Sequence, residues 1–152
     1  MAGKRLMRDE EGSVVIEFAL LVPIFFLVIF VIIDFSRAYY QLNTINSALR
    51  EGAREASVIR WNSTAVADCP STAACITRVR ATVHRFSTSF GKTIDTSAVS
   101  VVGNPNLAFP LQVTVSVTNY PFNFITPLPN RVGVSSVLNM TRSATFRWEF
   151  AP

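Results

Sequence analysis

The chain has 152 residues, a formal net charge of +4 and 49% hydrophobic residues. This length favours one domain, and because the positive charges are scattered without a basic run, the composition gives nucleic-acid binding little support. No set of residues typical of an enzyme active site is evident in the sequence, so we expect a protein without catalytic activity, cofactor or metal.

The N-terminal part of the chain joins a charged leader to a long apolar stretch. The leader ends at Gly12, and in the twenty-one residues 13–33 the only charge is Glu17. A helix needs about 20 residues to cross the roughly 30 Å hydrocarbon core of a bilayer, so we predict a membrane-spanning helix over 13–33. The leader carries three basic residues, and the positive-inside bias therefore predicts a cytoplasmic N-terminus with the bulk of the chain outside.

Glu17 is unusual for a spanning helix, because a carboxylate at the centre of such a helix costs roughly 2.5–3.5 kcal/mol, and less near an end. Cleavage after Gly12 would supply a partner. Ser13 would then carry an α-ammonium four residues from Glu17, on the same helix face. Pairing within one chain or between neighbours would lower the desolvation cost, and pairing between neighbours would also set the axial register of two helices.

These residues carry a resemblance to a known family. The basic leader, Gly12, the four residues SVVI, Glu17 and the apolar helix resemble a type IV prepilin signal. Within that group the motif, with Phe18 after the glutamate and Pro23 in the helix, is similar to TadE-like proteins, the minor pseudopilins of the Tad (Flp, type IVc) pilus system. The best-matched stretch runs from about Arg8 to Ser57, through RDEEGSVVIEFALLVP and LREGAREAS.

The resemblance implies a minor pilin or pilus-assembly subunit. A prepilin peptidase would cut between Gly12 and Ser13, and Glu17, Phe18 and Pro23 would serve assembly and helix register. Ser13 stands where type IVa pilins usually have an aromatic residue or methionine, which favours the Tad branch and leaves N-methylation open. The implied partners are the inner membrane, the peptidase, other pilus or pseudopilin subunits and the assembly platform. The implied location is the bacterial inner membrane, with a periplasmic or extracellular head and possible incorporation into the pilus.

Other interpretations stay open. The N-terminus is also compatible with an ordinary signal anchor in which Glu17 is incidental, or with a secretory signal removed after Ser36-Arg37-Ala38. The second would need an unusually long apolar region followed by two charged residues at the junction, Asp34 and Arg37. The alternative function is a single-span, membrane-anchored periplasmic binding module that does not assemble into a fibre. An anchored periplasmic enzyme has no motif in its favour.

The helix is predicted to continue beyond the membrane, over 34–60. Apolar or small residues recur there at alternating steps of three and four, which is typical of one helix face: Phe35, Ala38, Leu42, Ile45, Leu49, Gly52, Ala56 and Ile59. The small residues Ala48, Gly52 and Ala56 allow close approach of another backbone. We expect this half to pack on the chain's own head and the membrane half to pack on other subunits. Pro23 is expected to kink the helix or open its hydrogen bonding.

Residues 61–152 are predicted to form the head. Cys69 and Cys75 enclose five residues, and two cysteines on the outer side of a membrane most often form a disulfide. A metal site is less favoured, because the chain has one histidine, His84, which we interpret as a surface or packing residue. A helix is predicted from about Thr72 to Phe90, with Gly91 as its stop. Its apolar face contains Ile76, Val79, Val83, Phe86 and Phe90.

From Ser97 the apolar residues alternate with polar ones, which predicts half-buried antiparallel strands around 99–102, 113–118 and 140–150. Residues 132–138 are either a fourth strand or part of the third. The segment 120–129 holds three prolines, which we expect to exclude a central strand. Its large apolar residues either tuck under the sheet edge or form a patch for a partner. The predicted fold is α+β, a pilin-like lollipop: cleaved leader 1–12, transmembrane half-helix 13–33, periplasmic half-helix 34–60 and an antiparallel sheet head.

Overall fold

The structure, a computed structural model, describes residues 3–59, 71–103, 112–126, 133 and 135–147, with side chains from Gly12 onward. Its elements are helix α1 (Gly3–Val58), helix α2 (Thr72–Ser89), a 3-10 turn (Thr96–Ala98) and strands β1 (Val99–Val102), β2 (Gln112–Asn123) and β3 (Val137–Arg147). The strands form one antiparallel sheet in the order β1-β2-β3. A long N-terminal helix with a second helix and a small antiparallel sheet confirms the predicted α+β class.

Helix α1 has 56 residues, which corresponds to about 84 Å. Pro23 lies inside the helix without ending it. Residues 12–33 are exposed on almost every side, and none of the most apolar window of the helix is buried within the chain. A helix that is apolar all round and unburied in its own chain needs an apolar environment from elsewhere, such as a bilayer or another subunit.

The outer half of α1 packs on the head. The predicted apolar row holds from Ala38 to Ile59, while Phe35 is exposed and lies off the buried face. The buried face is also wider than predicted, because α2 on one side and the sheet on the other both contact it. Its additional buried residues are Gln41, Thr44, Ala53 and Ser57, and Ala48 is buried with the predicted row of small residues.

Gly52 marks the closest approach between α1 and the rest of the head. A Cβ placed there would collide with Val83 Cγ2 of α2, and would lie 3.7 Å from Val79 Cγ1 and 3.8 Å from Val115 Cγ1 of β2. A valine side chain is stiff at χ1, so Val83 has little freedom to give way. Within the head, the row of small residues is therefore used for intrachain packing.

We expect Gly52→Leu to lower the free energy of unfolding of the head by about 1–3 kcal/mol, because extra methylenes in a close-packed core force side chains and backbone to shift. The measurement is the thermal or urea midpoint of the detergent-solubilised chain, followed by circular dichroism. Ser47→Leu is the matched control, since Ser47 lies on the exposed face of the same helix. Equal midpoints for the two variants would contradict the packing described here.

Helix α2 begins and ends close to its predicted bounds. The Ser71 side chain caps its start by accepting a hydrogen bond from the Ala74 N–H at 3.3 Å, and Gly91 follows the last turn with a φ of +70°. Val79 and Val83 are buried as predicted, whereas Phe90 is exposed. The end of the predicted apolar face therefore lies outside the core.

The sheet follows the predicted alternation. Val113, Val115 and Val117 of β2 are buried against α1, and Val99 of β1 pairs with Val117. On the other face, the hydroxyls of Thr114 and Thr145 lie 2.8 Å apart across β2 and β3. The face that carries these threonines is the solvent-facing side of the sheet. Residues 137 and 138 belong to β3, so this part of 132–138 is not a separate strand.

The proline-rich segment was wrongly predicted to contain no central strand. Strand β2 continues through Pro121 to Asn123, past an irregularity between Val117 and Tyr120. The reason is the short length of β1, which pairs only with residues 114–117. Beyond that point, among the described strands, β2 pairs only with β3, so Pro121 is at a local edge of the described sheet, where a missing N–H is tolerated. The remaining two prolines, at 127 and 129, lie outside the described residues.

Candidate functional site

The predicted processing and register residues lie together on one exposed stretch of α1. Gly12, Ser13, Glu17 and Phe18 are all exposed, and a Cβ at Gly12 would have no atom within 4 Å. Among the side chains that the structure describes, none forms a hydrogen bond or ion pair with Glu17. The carboxylate is therefore open to a group from outside the described chain.

The helix is continuous across the bond between Gly12 and Ser13, since α1 begins at Gly3. A protease reads an extended backbone, so cutting there requires the helix to unwind locally. Glycine favours such unwinding, because it is destabilising in a helix by about 1 kcal/mol relative to alanine. The lone glycine of the motif thus combines an open approach with a weak point in the helix.

A second site, which sequence reasoning missed, lies where α1 leaves the predicted span. Asp34 is only 3% exposed. Its Oδ1 accepts hydrogen bonds from the Ile125 N–H at 3.0 Å and from Arg37 at 3.2 Å, and its Oδ2 accepts from the Thr126 N–H at 3.0 Å and the Thr126 hydroxyl at 2.7 Å. Both carboxylate oxygens are satisfied, as a buried charge requires.

These bonds tie the loop after β2 to the helix. Gln41, about two turns further along α1, donates to the Pro121 carbonyl at 3.5 Å. The Arg37 guanidinium also lies 5.6 Å from the centre of the Phe122 ring, within the range of a cation–π contact. The end of the head next to the predicted span is therefore held to α1 by a polar junction. The end around Gly52 is held by apolar packing.

The charge of Asp34 is stabilised in spite of its burial. Burial raises the pKa of the carboxyl, but the hydrogen bonds from Ile125, Thr126 and Arg37 outweigh it, so the pKa lies below its ordinary value of 3.8. The folded head therefore favours the ionised form of Asp34.

Sequence reasoning treated Asp34 only as a charge at the end of the span, because its loop partners are 91 and 92 residues away along the chain. One signal was present. Asp34 precedes Ala38 by four residues, which places it on the same face as the apolar row. A carboxylate in phase with a buried face indicates a partner on whatever covers that face.

The predicted disulfide stays a prediction, because Cys69 lies outside the described residues. Cys75 is buried in the first turns of α2. We expect neither cysteine to be labelled by a thiol reagent under denaturing, non-reducing conditions, and both to be labelled after reduction, since a bridge over so short a loop blocks both thiols. Two thiols that label without reduction would argue against the bridge and against an outer location of the head.

The arrangement holds no candidate metal centre in the described part of the chain, where no three His, Cys, Asp or Glu side chains come together. His84 lies with its Nδ1 2.8 Å from the Ile94 carbonyl oxygen, a contact that orients α2 against the segment before β1. Its position agrees with the predicted packing role.

The fold and the exposed span fit a single-pass membrane protein with a small α+β head. The family model described as TadE-like protein matches residues 12–54, which confirms the resemblance carried by Gly12, Glu17 and the helix after them. The match covers 43 of the 152 residues, so it shows a likeness of the N-terminal helix to TadE-like proteins and does not extend to the head. No curated protein and no solved structure gives a significant match.

Proposed function

We propose that the chain is a minor pilin or pseudopilin subunit that takes part in assembling a Tad-type pilus, and so in adhesion and surface attachment. The observation that carries the proposal is the division of α1 into two unlike halves. The half bearing Glu17 is apolar and exposed all round, whereas the half from Asp34 to Ile59 is covered by the chain's own head. Both halves lie in or next to the segment that resembles TadE-like proteins.

This division suits a subunit that packs by its membrane helix. The head already occupies one face of the outer half, so most of the exposed apolar surface available to other subunits is at 13–33. Side-by-side helices in lipid gain little from hydrophobicity, and polar contacts therefore contribute strongly to their register. Glu17 supplies one such contact if a neighbouring subunit presents the ammonium of a processed Ser13.

The proposal assigns a role to each segment. Residues 1–12 are a leader removed by prepilin peptidase, 13–33 span the inner membrane, 34–60 carry the head, and 61–152 form it. The N-terminus faces the cytoplasm and the head faces the periplasm or the exterior. Other pilus subunits and the assembly platform are the partners, and Phe18 and Pro23 shape the helix surface that meets them.

The test is the mass of the mature protein from its native host, which we expect to lack residues 1–12. Gly12→Leu should leave a full-length precursor in the membrane, because the side chain blocks the approach of the peptidase and strengthens the helix at the cut. Gly3→Leu, the same change nine residues upstream, is the matched control and should be processed normally. A wild-type chain that retains Met1, or that starts at Tyr39, would overturn the proposal.

A further inference from the structure

The apolar surface of the span does not end at the first charge after it. Asp34 follows Ile33 directly, but its carboxylate is covered by residues 125 and 126, which donate three hydrogen bonds to it. Both carboxylate oxygens of Asp34 have hydrogen-bond donors, and only 3% of the residue is exposed, so almost none of its polar surface contacts the surroundings. Lipid beside this point of the helix would meet the loop and not the carboxylate.

Large apolar side chains are exposed at and beyond this point. Ile125, whose N–H is bonded to Asp34, is 62% exposed. Phe35 and Tyr39 on α1 are 73% and 61% exposed. With 3.6 residues per turn they lie roughly 100° and 140° around the helix from Asp34, on the side away from the head. Exposed apolar groups therefore lie on two sides of the helix, within about 8 Å of the level of Asp34 along its axis.

The length of the span agrees with a boundary at this level. Residues 13–33 give about 32 Å of helix, close to the roughly 30 Å of a hydrocarbon core, so the apolar region ends at Ile33, next to Asp34 and its loop partners. Aromatic residues are enriched where helices leave the membrane, and Phe35 and Tyr39 follow the end of the span by two and six residues.

We propose that Ile125 and the loop that carries it, residues 124–126, form a membrane-contact surface of the head. This loop rests at the boundary of headgroups and acyl chains in the leaflet on the head's side, level with Asp34 and Phe35. The occupant of the surface is the lipid bilayer, because the surface is continuous with the span and fixed to it by Asp34. The proposal rests on single-pass anchoring and not on pilus assembly.

The test compares two tryptophan probes in the full chain, with Trp61 and Trp148 replaced by phenylalanine. Ile125→Trp reports on the loop. Val102→Trp is the matched control, because Val102 is 63% exposed and lies at the far end of the sheet, where it pairs with Thr114. Asn123 lies nine positions after Thr114 in β2, which places the control about 30 Å further along the strand.

Both proteins are reconstituted into vesicles of phosphatidylethanolamine and phosphatidylglycerol that contain lipids with brominated acyl chains. We expect the emission of the Ile125→Trp protein to fall severalfold and that of the Val102→Trp protein to change little. Bromines near the headgroup should quench more than bromines near the chain end. Equal quenching of the two probes, or no quenching of either, would overturn the proposal.

A second measurement keeps both native tryptophans. The photo-crosslinker p-benzoylphenylalanine is placed at position 125, or at 102 as the control, in the otherwise unaltered chain in the same vesicles. A phospholipid adduct at 125 and not at 102 is the expected result. An adduct with a second copy of the chain, or no lipid adduct, would overturn the proposal. Neither measurement depends on cleavage or on other pilus subunits, so its failure is distinguishable from failure of the proposed function.

Discussion

Asp34→Ala is expected to lower the free energy of unfolding of the head by roughly 2–4 kcal/mol. The variant leaves the N–H groups of Ile125 and Thr126 and the Thr126 hydroxyl without their acceptor. Each buried donor without a hydrogen-bond partner costs about 1–3 kcal/mol. The loss of stability is smaller than the sum of these costs if the loop moves and water hydrogen-bonds to the freed donors. The measurement is the urea or thermal midpoint in detergent, read together with the rate of proteolysis after Phe124.

Glu51→Ala is the control for loss of a carboxylate on the same helix. Glu51 makes a surface ion pair with Arg54, whose Nη2 lies 2.6 Å from Oε1, and exposed pairs of this kind contribute about 0–1 kcal/mol. A loss in the Asp34 variant no larger than in the Glu51 variant would show that the buried junction does not hold the loop.

The pH dependence of the same junction has a defined sign. The folded-state pKa of Asp34 is lowered by its hydrogen bonds, so its ionisation adds stability above the ordinary pKa of 3.8. That contribution is fully present above about pH 5 and is lost as the pH falls through the folded value. The stability difference between wild type and Asp34→Asn should therefore be constant from neutral pH to about pH 5 and shrink below pH 3.8.

Much of this fold follows from local patterns in the sequence. The alternation of Val113, Val115 and Val117 predicted a half-buried strand. The three-and-four spacing from Phe35 to Ile59 predicted one buried helix face, and only Phe35 lies off it. Both patterns arise because side chains repeat with the period of their own element, which is independent of what packs against it. The cap at Ser71 and the stop at Gly91 are likewise local.

The features that were missed depend on contacts between distant segments. The partners of Asp34 come from a loop some ninety residues later, and a single sequence does not show which loop covers a given helix turn. Pro121 lies in a strand because β1 is short, which is a property of the neighbouring strand. The extra width of the buried face of α1 reflects two elements packing on it at once. The junction at Asp34, the strand at Pro121 and the width of the buried face were therefore all determined by tertiary contacts.

The candidate site shows the same division. The spacing of Gly12 and Glu17 is local, and the TadE-like match over residues 12–54 includes both residues. The junction at Asp34 is also inside that match, but its partners at 125 and 126 lie outside it. The part of the chain that resembles the family thus provides the helix, while the head beyond it provides the groups that complete the junction.

Glu17→Gln is expected to abolish assembly while leaving folding and processing intact. Removing a charge from the span lowers the cost of insertion, so the variant should accumulate in the membrane. Gly12 is unchanged, and no residue of 13–33 is buried in the described structure, so cleavage and the stability of the head should match wild type. In a neighbouring subunit, however, the processed Ser13 ammonium would face a neutral amide. An unpaired buried charge costs roughly 3–5 kcal/mol, which lowers an association constant more than a hundredfold.

The measurement is co-purification of the tagged chain with other pilus subunits from native membranes, scored together with processing of the same sample. Glu51→Gln is the matched control, because it removes one negative charge from the head-covered half of the same helix and should assemble normally. Normal processing together with normal co-purification of the Glu17 variant would reject the pairing role. Loss of both processing and co-purification would instead make Glu17 a recognition element for the peptidase, acting before assembly. Only normal processing with lost co-purification, in a protein whose head unfolds at the wild-type midpoint, places the carboxylate at the contact between subunits.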